Sequence, residues 1–388
     1  MMDKQHLLCA FHSIANCIKE NEKEIIDILC EIETYRTAEN EINKTIRALQ
    51  TYSNEDRYLQ SREPIGSVAV FLPFNMPLYS LVLYAFGPIY AGNYVWVRPS
   101  KLTHSQIERI WSICCASLED FPLQMFNGSG KDFLHKITSN HFADVVIFTG
   151  QWESVIKLID SLPKHIKLIY CGPGVCPLIV RNDADVELAT DVTIESRIFN
   201  SGQDCLATEK ILVHEEVANS YIDILLRKLC YIHKGNNYDK QTLIGPLISE
   251  DFVRRARDLV NNSSGVVLLD GTKNKDFIDP TVIITTPDQV VFRAEKFAPV
   301  FPIAVFPSND AMASEVNKSE YLLGVTVIGQ FYPPGTFLAS HIEYNRSVLS
   351  FEEDDAHIPF GGSGKSGFVF QNNKKREGPI LFAVETSK

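Results

Sequence analysis

The sequence predicts a two-lobed α/β protein, on three observations. Short apolar runs at 68–72, 94–97, 145–148 and 167–170 alternate with helix-like stretches at 103–117, 129–137 and 152–161, the pattern of a parallel sheet with helices on both faces. A second α/β series begins at 177–180 and continues through strands at 211–213, 266–269, 281–285 and 300–306, with helices at about 185–200, 215–232 and 250–262. The 388 residues, 45% of them hydrophobic, suffice for two lobes rather than one.

Taken in order, residues 7–52 read as two or three amphipathic helices. Leu7, Phe11, Ile14 and Ile18 recur at helical intervals, as do Ile25, Ile26 and Leu29, then Ile42, Ile46 and Leu49. These helices should cover one face of a sheet. The stretch 64–97 carries no charged residue and is long enough to suggest a membrane span. Pro73, Asn75, Pro77, Gly87, Pro88 and Gly92 break it, so the expectation is a buried strand at 67–72, a turn carrying Asn75, a core helix at 78–86 and a second buried strand at 94–97. No internal repeat or low-complexity linker is visible.

Bulk properties exclude several function classes. A net charge of −11 and a pI near 5.4 argue against a nucleic-acid partner, and a small-molecule substrate is expected. Nine cysteines, an odd number without the paired close spacing of a zinc site, point to reduced thiols, no metal and a cytoplasmic location. No signal peptide and no membrane segment are expected. Gly128-Ser-Gly-Lys131 and Gly362-Ser-Gly-Lys-Ser366 resemble phosphate loops, but Met125 and Pro359 stand where the first glycine is required.

Six segments carry the chemistry: Phe71-Leu-Pro-Phe-Asn-Met-Pro77, Trp96-Val-Arg-Pro-Ser100, Phe148-Thr-Gly150, Asn200-Ser-Gly-Gln-Asp-Cys205, Glu295-Lys-Phe-Ala-Pro-Val300 and Pro359-Phe-Gly-Gly-Ser-Gly-Lys-Ser-Gly367. In this order they resemble the aldehyde dehydrogenase family, in register from about residue 60 to the C-terminus. The resemblance implies a Rossmann-type nucleotide-binding lobe over 1–174, with a return of the chain at about 370–388, and an α/β catalytic lobe over 175–369. It implies Cys205 as the nucleophile, presented by a turn that Gly202 permits. The Asn75 amide and the Cys205 N–H would cradle the oxyanion. Glu295 would bind the nicotinamide ribose and Phe297 would back the ring. Pro73, Phe74, Thr149, Gly150 and Gly172 would line the NAD or NADP path, with the pyrophosphate at the helix N-terminus after Gly150. Arg98 and Ser100 match the adenosine-ribose turn. Lys101 stands where NAD-preferring relatives commonly carry Glu, which tilts the choice towards NADP.

The chain also departs from the family. The usual Glu-Leu-Gly-Gly-Lys segment appears as Cys171-Gly-Pro-Gly-Val, so Cys171 replaces the general base that discharges the thioester, and a thiol is a poor substitute near neutral pH. Another group could activate water, the thioester could pass to a thiol or amine acceptor or be reduced in reverse, or the chain could bind or scaffold without turnover. Gln151 and Trp152 follow Gly150 where small residues are usual, and the second glycine is lost. Residues 53–61 are too short for the family's pairing hairpin, and its final strand is lacking after 386. A monomer or atypical dimer is therefore expected. Residues 351–357 and Asp204 are acidic. They read either as a solvated loop and a helix-start aspartate or as recognition of a cationic aldehyde.

Overall fold

The computed structural model describes residues 3–114, 120–139, 142–273 and 277–388. Five parallel strands, β1 (Ser67–Phe71), β2 (Tyr94–Arg98), β3 (Leu123–Met125), β4 (Val145–Thr149) and β5 (Lys167–Cys171), form the first sheet in the order β5-β4-β1-β2-β3. A second set comprises β6 (Cys176–Val180), β7 (Thr208–His214), β8 (Gly265–Leu269), β9 (Thr281–Thr285), β10 (Val300–Phe306), β11 (Gly324–Ile328) and β12 (His341–Tyr344). Its order is β12-β11-β6-β7-β10-β9-β8, parallel throughout except that β8 runs antiparallel on β9. The hairpin β13 (Gly367–Gln371) and β14 (Lys374–Glu377) returns to the first sheet, with β13 antiparallel to β5.

The return to the first sheet begins at Gly367, and β13 in the first sheet and β8 in the second run antiparallel to their neighbours. One expectation is corrected here. The core helix does not stop at Phe86: Pro77–Leu81 runs into a π-helical turn, Val82–Phe86, and on through Gly87–Tyr90. The widened turn accommodates Pro88, which offers no N–H and would clash in a regular helix. The expected helix at 103–117 is seen as His104–Cys114, its predicted end lying outside the described residues.

Alternation along β1 shows why these strands are so apolar. Val68 and Val70 face a core shared with Phe11, Ile14, Ile25, Ile42 and Leu49 of the helices Lys4–Glu20, Glu22–Leu29 and Tyr35–Gln50. Ala69 and Phe71 face the opposite side, against Phe133, Ile137, Val155 and Leu158. Both faces are covered, as a parallel sheet requires. Tyr52–Arg57 is a short 3-10 helix, with no strand in the 53–61 segment. Among the described residues, no helix is long and apolar enough to cross a membrane.

Candidate active site

From β1 the first sheet grows outward through β2 to β3, and the chain then returns to place β4 on the other side of β1. The carboxyl ends of β1 and β4 therefore diverge at a topological switch point, where α/β sheets bind ligands. A cavity of about 140 Å³ lies there. The loops after β1, β4 and β5 bring Pro73, Phe74, Asn75, Thr149, Gly150, Cys171 and Gly172 to it, and the second sheet's loops bring Cys205, Glu295 and Phe297. Arg98, Ser100 and Lys101 stand apart from the cavity at the end of β2. There the Arg98 Nε donates to the Gly128 carbonyl (3.4 Å), the Ser100 hydroxyl accepts from the Leu102 N–H (3.3 Å), and Lys101 is exposed.

The half-buried Cys205 is delivered by a distorted turn. After the helix Val186–Ile198 the backbone turns left-handed at Asn200, Ser201 and Gly202 (φ 47°, 56° and 85°). A Cβ at position 202 would lie 2.7 Å from the Ala298 backbone, so glycine is needed for space as well as for φ. Beneath the turn is a buried ionic cluster. Arg197 donates to the Gly202 carbonyl and, at 2.7 Å, to the Thr208 carbonyl, and it pairs with Glu209 at 2.8 Å. Glu209 accepts the Lys296 N–H at 2.9 Å and the Phe297 N–H at 3.3 Å, and pairs with the Lys296 ammonium at 3.0 Å. One carboxylate thus ties the Cys205 turn to the segment bearing Glu295 and Phe297. Against the upward push of burial, Arg197 and Lys296 hold the Glu209 carboxyl below its ordinary value.

Gly174 brings the two lobes into close approach. Its N–H donates to Glu295 Oε1 at 3.2 Å, and a Cβ there would sit 2.0 Å from the Cys205 carbonyl oxygen. Because the obstructing atom is backbone, Gly174→Ala must displace the Cys205 turn. We expect a loss of about 1–3 kcal/mol in urea unfolding and a changed rate of Cys205 alkylation. Unaltered values for both would show that the turn yields freely. The next wall is the Pro359–Gly367 segment: the Ser366 hydroxyl donates to the Pro173 carbonyl (2.6 Å), and the Gly172 N–H to the Ser366 carbonyl (3.0 Å).

Burial sets the protonation of the site. It pushes the Cys171 thiol up to about 12, with Tyr84 pulling the other way, so residue 171 is a neutral thiol near neutral pH. Burial and then Glu209 push the Glu295 carboxyl up to about 8, opposed by hydrogen bonds from Gln151 and Gly174. Asp204 is neither solvated nor at a helix start. It is buried on the cavity wall, its carboxyl is raised by burial, and its Oδ1 accepts the Leu206 N–H at 2.8 Å in the turn before β7. Nor is the acidic run freely solvated: Asp355 pairs with Arg57, and the buried His357 meets Glu55 (3.2 Å) and Thr51 (3.0 Å).

The structure adds residues that sequence reasoning missed. Phe252, on the helix Glu250–Asn261, packs its ring tilted against Phe74 and Phe297 (ring centroids 4.9 and 6.2 Å). Lys44 and Tyr79 line the cavity, and the Gln151 amide donates to Glu295 Oε2 at 3.2 Å. Only Gln151 had a sequence signal, its size at a position where small residues are usual. The arrangement suits a dinucleotide: the Thr149 hydroxyl is buried without a hydrogen-bond partner among the described residues, just before the helix Trp152–Ser161.

The aldehyde dehydrogenase family model matches residues 2–378. The lactaldehyde dehydrogenase of Methanococcus maripaludis is 30% identical over 359 residues, covering 88% of this chain and 74% of that one. A benzaldehyde dehydrogenase [NAD(+)] of Pseudomonas putida is 31% identical over 326 residues, covering 80% and 65%. Among solved structures, the glyceraldehyde-3-phosphate dehydrogenase of Methanocaldococcus jannaschii, complexed with NADP, superposes with a TM-score of 0.90 at 24% identity, covering 100% of this chain and 89% of the other. On its sequence, its two sheets and its matched segments, the chain belongs to the aldehyde dehydrogenase family of NAD(P)-dependent oxidoreductases.

Proposed function

We propose that Cys205 is the residue through which this chain oxidises a small aldehyde. The observation that carries this reading is that Cys205 and Asn75 line one cavity with Glu295 and Phe297. The Cys205 sulfur, as thiolate, attacks the carbonyl carbon, and the carbonyl π electrons move to oxygen. The Asn75 amide and the Cys205 N–H stabilise that oxyanion. When the oxyanion collapses, hydride leaves the same carbon and a thioester remains on Cys205. The nicotinamide cofactor, when bound, accepts the hydride. Thr149, Gly150, Gly172 and the helix start at Trp152 would hold its phosphates and Glu295 its ribose, with Pro73, Phe74 and Phe297 along its path. Arg98, Ser100 and the exposed Lys101 would meet the adenosine end, which favours NADP.

Discharge of the thioester does not use residue 171, because a thiol with its pKa pushed up to about 12 holds its proton near neutral pH. Transfer to a thiol or amine acceptor is the reading this favours. A second reading, hydrolysis, has Glu295 as base, since its carboxyl is raised to about 8 in the same cavity. The cofactor unit would comprise 1–174 with the return from Gly367, and the thiol unit the intervening chain. With 3-10 structure at 52–57 in place of a hairpin, a monomer or atypical dimer is expected.

Rapid mixing of protein, NADP or NAD and a panel of lactaldehyde, glyceraldehyde 3-phosphate and benzaldehyde tests the reading. A single-turnover burst of reduced cofactor with an acyl adduct by intact mass supports transfer chemistry. Steady turnover without added acceptor supports hydrolysis. Demonstrated cofactor binding with neither burst nor turnover across the panel would overturn oxidation of these aldehydes.

A further inference from the structure

Gln151 sits at the N-cap of the helix Trp152–Ser161, yet its side chain caps nothing there. An N-cap side chain ordinarily accepts from the first free amides of its own helix. Instead the Gln151 carboxamide crosses from the first sheet's loops to the second lobe and donates to Glu295 Oε2 at 3.2 Å. The other oxygen, Oε1, accepts the Gly174 N–H at 3.2 Å. Both carboxylate oxygens are therefore engaged. The rings of Phe74, Phe252 and Phe297 approach one another across the same cleft, with Phe74 4.9 Å from Phe252 and 5.7 Å from Phe297. The remaining cavity is about 140 Å³. Gln151 and Glu295 both line it.

We propose that Gln151 is a built-in competitor of the cofactor: its amide occupies the place on Glu295 that the nicotinamide ribose hydroxyl must take, and cofactor binding requires it to swing away. This rests on the reading of Glu295 as the ribose ligand. Breaking the contact subtracts from the affinity that cofactor contacts would otherwise give. The residue's exposed position lets the side chain leave without unfolding the helix.

Titration calorimetry of the full-length protein with NADP and with NAD tests this, comparing wild type, Gln151→Ala and Gln151→Ser. Loss of one competing hydrogen bond to a carboxyl group is expected to tighten cofactor binding roughly fivefold to tenfold. In a Glu295→Ala background the same substitutions should give no gain, since nothing remains to be competed for. Unchanged or weaker binding by the single variants would overturn the proposal, weaker binding indicating that Gln151 helps hold the phosphates. A gain that persists in the Glu295→Ala background would overturn it in favour of simple crowding. If wild type binds neither cofactor, the reading of Glu295 falls and this proposal with it, whereas normal wild-type binding without a variant effect removes this proposal alone.

Discussion

Replacing Cys205 with alanine is expected to abolish the burst and lower aldehyde oxidation by roughly 10⁴-fold or more, the scale on which removal of a covalent nucleophile acts. The size of the effect follows from the lack of a substitute. Two other thiols lie close by, Cys171 on the cavity wall and Cys176, whose thiol contacts the Cys205 carbonyl at 3.4 Å. Burial raises the pKa of both, that of Cys171 to about 12. Neither supplies thiolate near neutral pH, and the thiolate is the attacking species. The variant should melt as wild type does and bind cofactor normally, while intact mass after incubation with aldehyde shows no adduct. Turnover within tenfold of wild type would remove Cys205 from the mechanism.

Glu209→Ala is expected to destabilise the protein by about 3–5 kcal/mol, the range for breaking a buried ion pair from one side. Two cations would lose their counter-ion at fully buried positions. Lys296, whose ammonium burial already lowers to about 8, can shed its proton, but Arg197 has no such escape. The Lys296 and Phe297 amides also lose their acceptor. Urea unfolding measures the loss, and a midpoint within error of wild type would show that the cluster contributes nothing net. Whatever folded protein remains should react more slowly with aldehyde, because the Gly202 turn and the Glu295 segment no longer share an anchor.

The parts of this molecule legible in its sequence are those written within a single stretch of chain. Short apolar runs marked β1, β2, β4 and β5, and Gly and Pro residues marked the turn after β1. β14 could not be found that way, since Lys374–Glu377 is entirely charged and exposed and forms only as an edge partner of β13. β3 spans three residues, too short for a periodic signal. The site divides in the same manner. Motif-borne residues such as Asn75, Cys205 and Glu295 could be named in advance, and the cavity brings them together. The Arg197–Glu209–Lys296 cluster, the ring contact of Phe252 with Phe74, and the Gln151–Glu295 bond join segments remote in sequence, where no spacing rule reaches. The solvated, helix-start reading of Asp204 failed because its burial depends on the packing around the turn, which its neighbours in sequence do not encode.

The hairpin at 367–377 also fixes the order in which the protein can be completed on the ribosome. The second sheet draws its strands from 176 to 344 in one continuous stretch, so it can close as soon as that stretch has emerged. The first sheet starts earlier but finishes later. Until Gly367–Gln371 is made, β5 remains an open edge ending at Cys171, and the Gly172 amide lacks the Ser366 carbonyl it binds in the finished fold. The cavity wall beside residue 171 is therefore among the last parts to form. A nascent chain can pack the Cys205 turn once residue 298 is available, but the wall beside residue 171 waits for Gly367–Gln371.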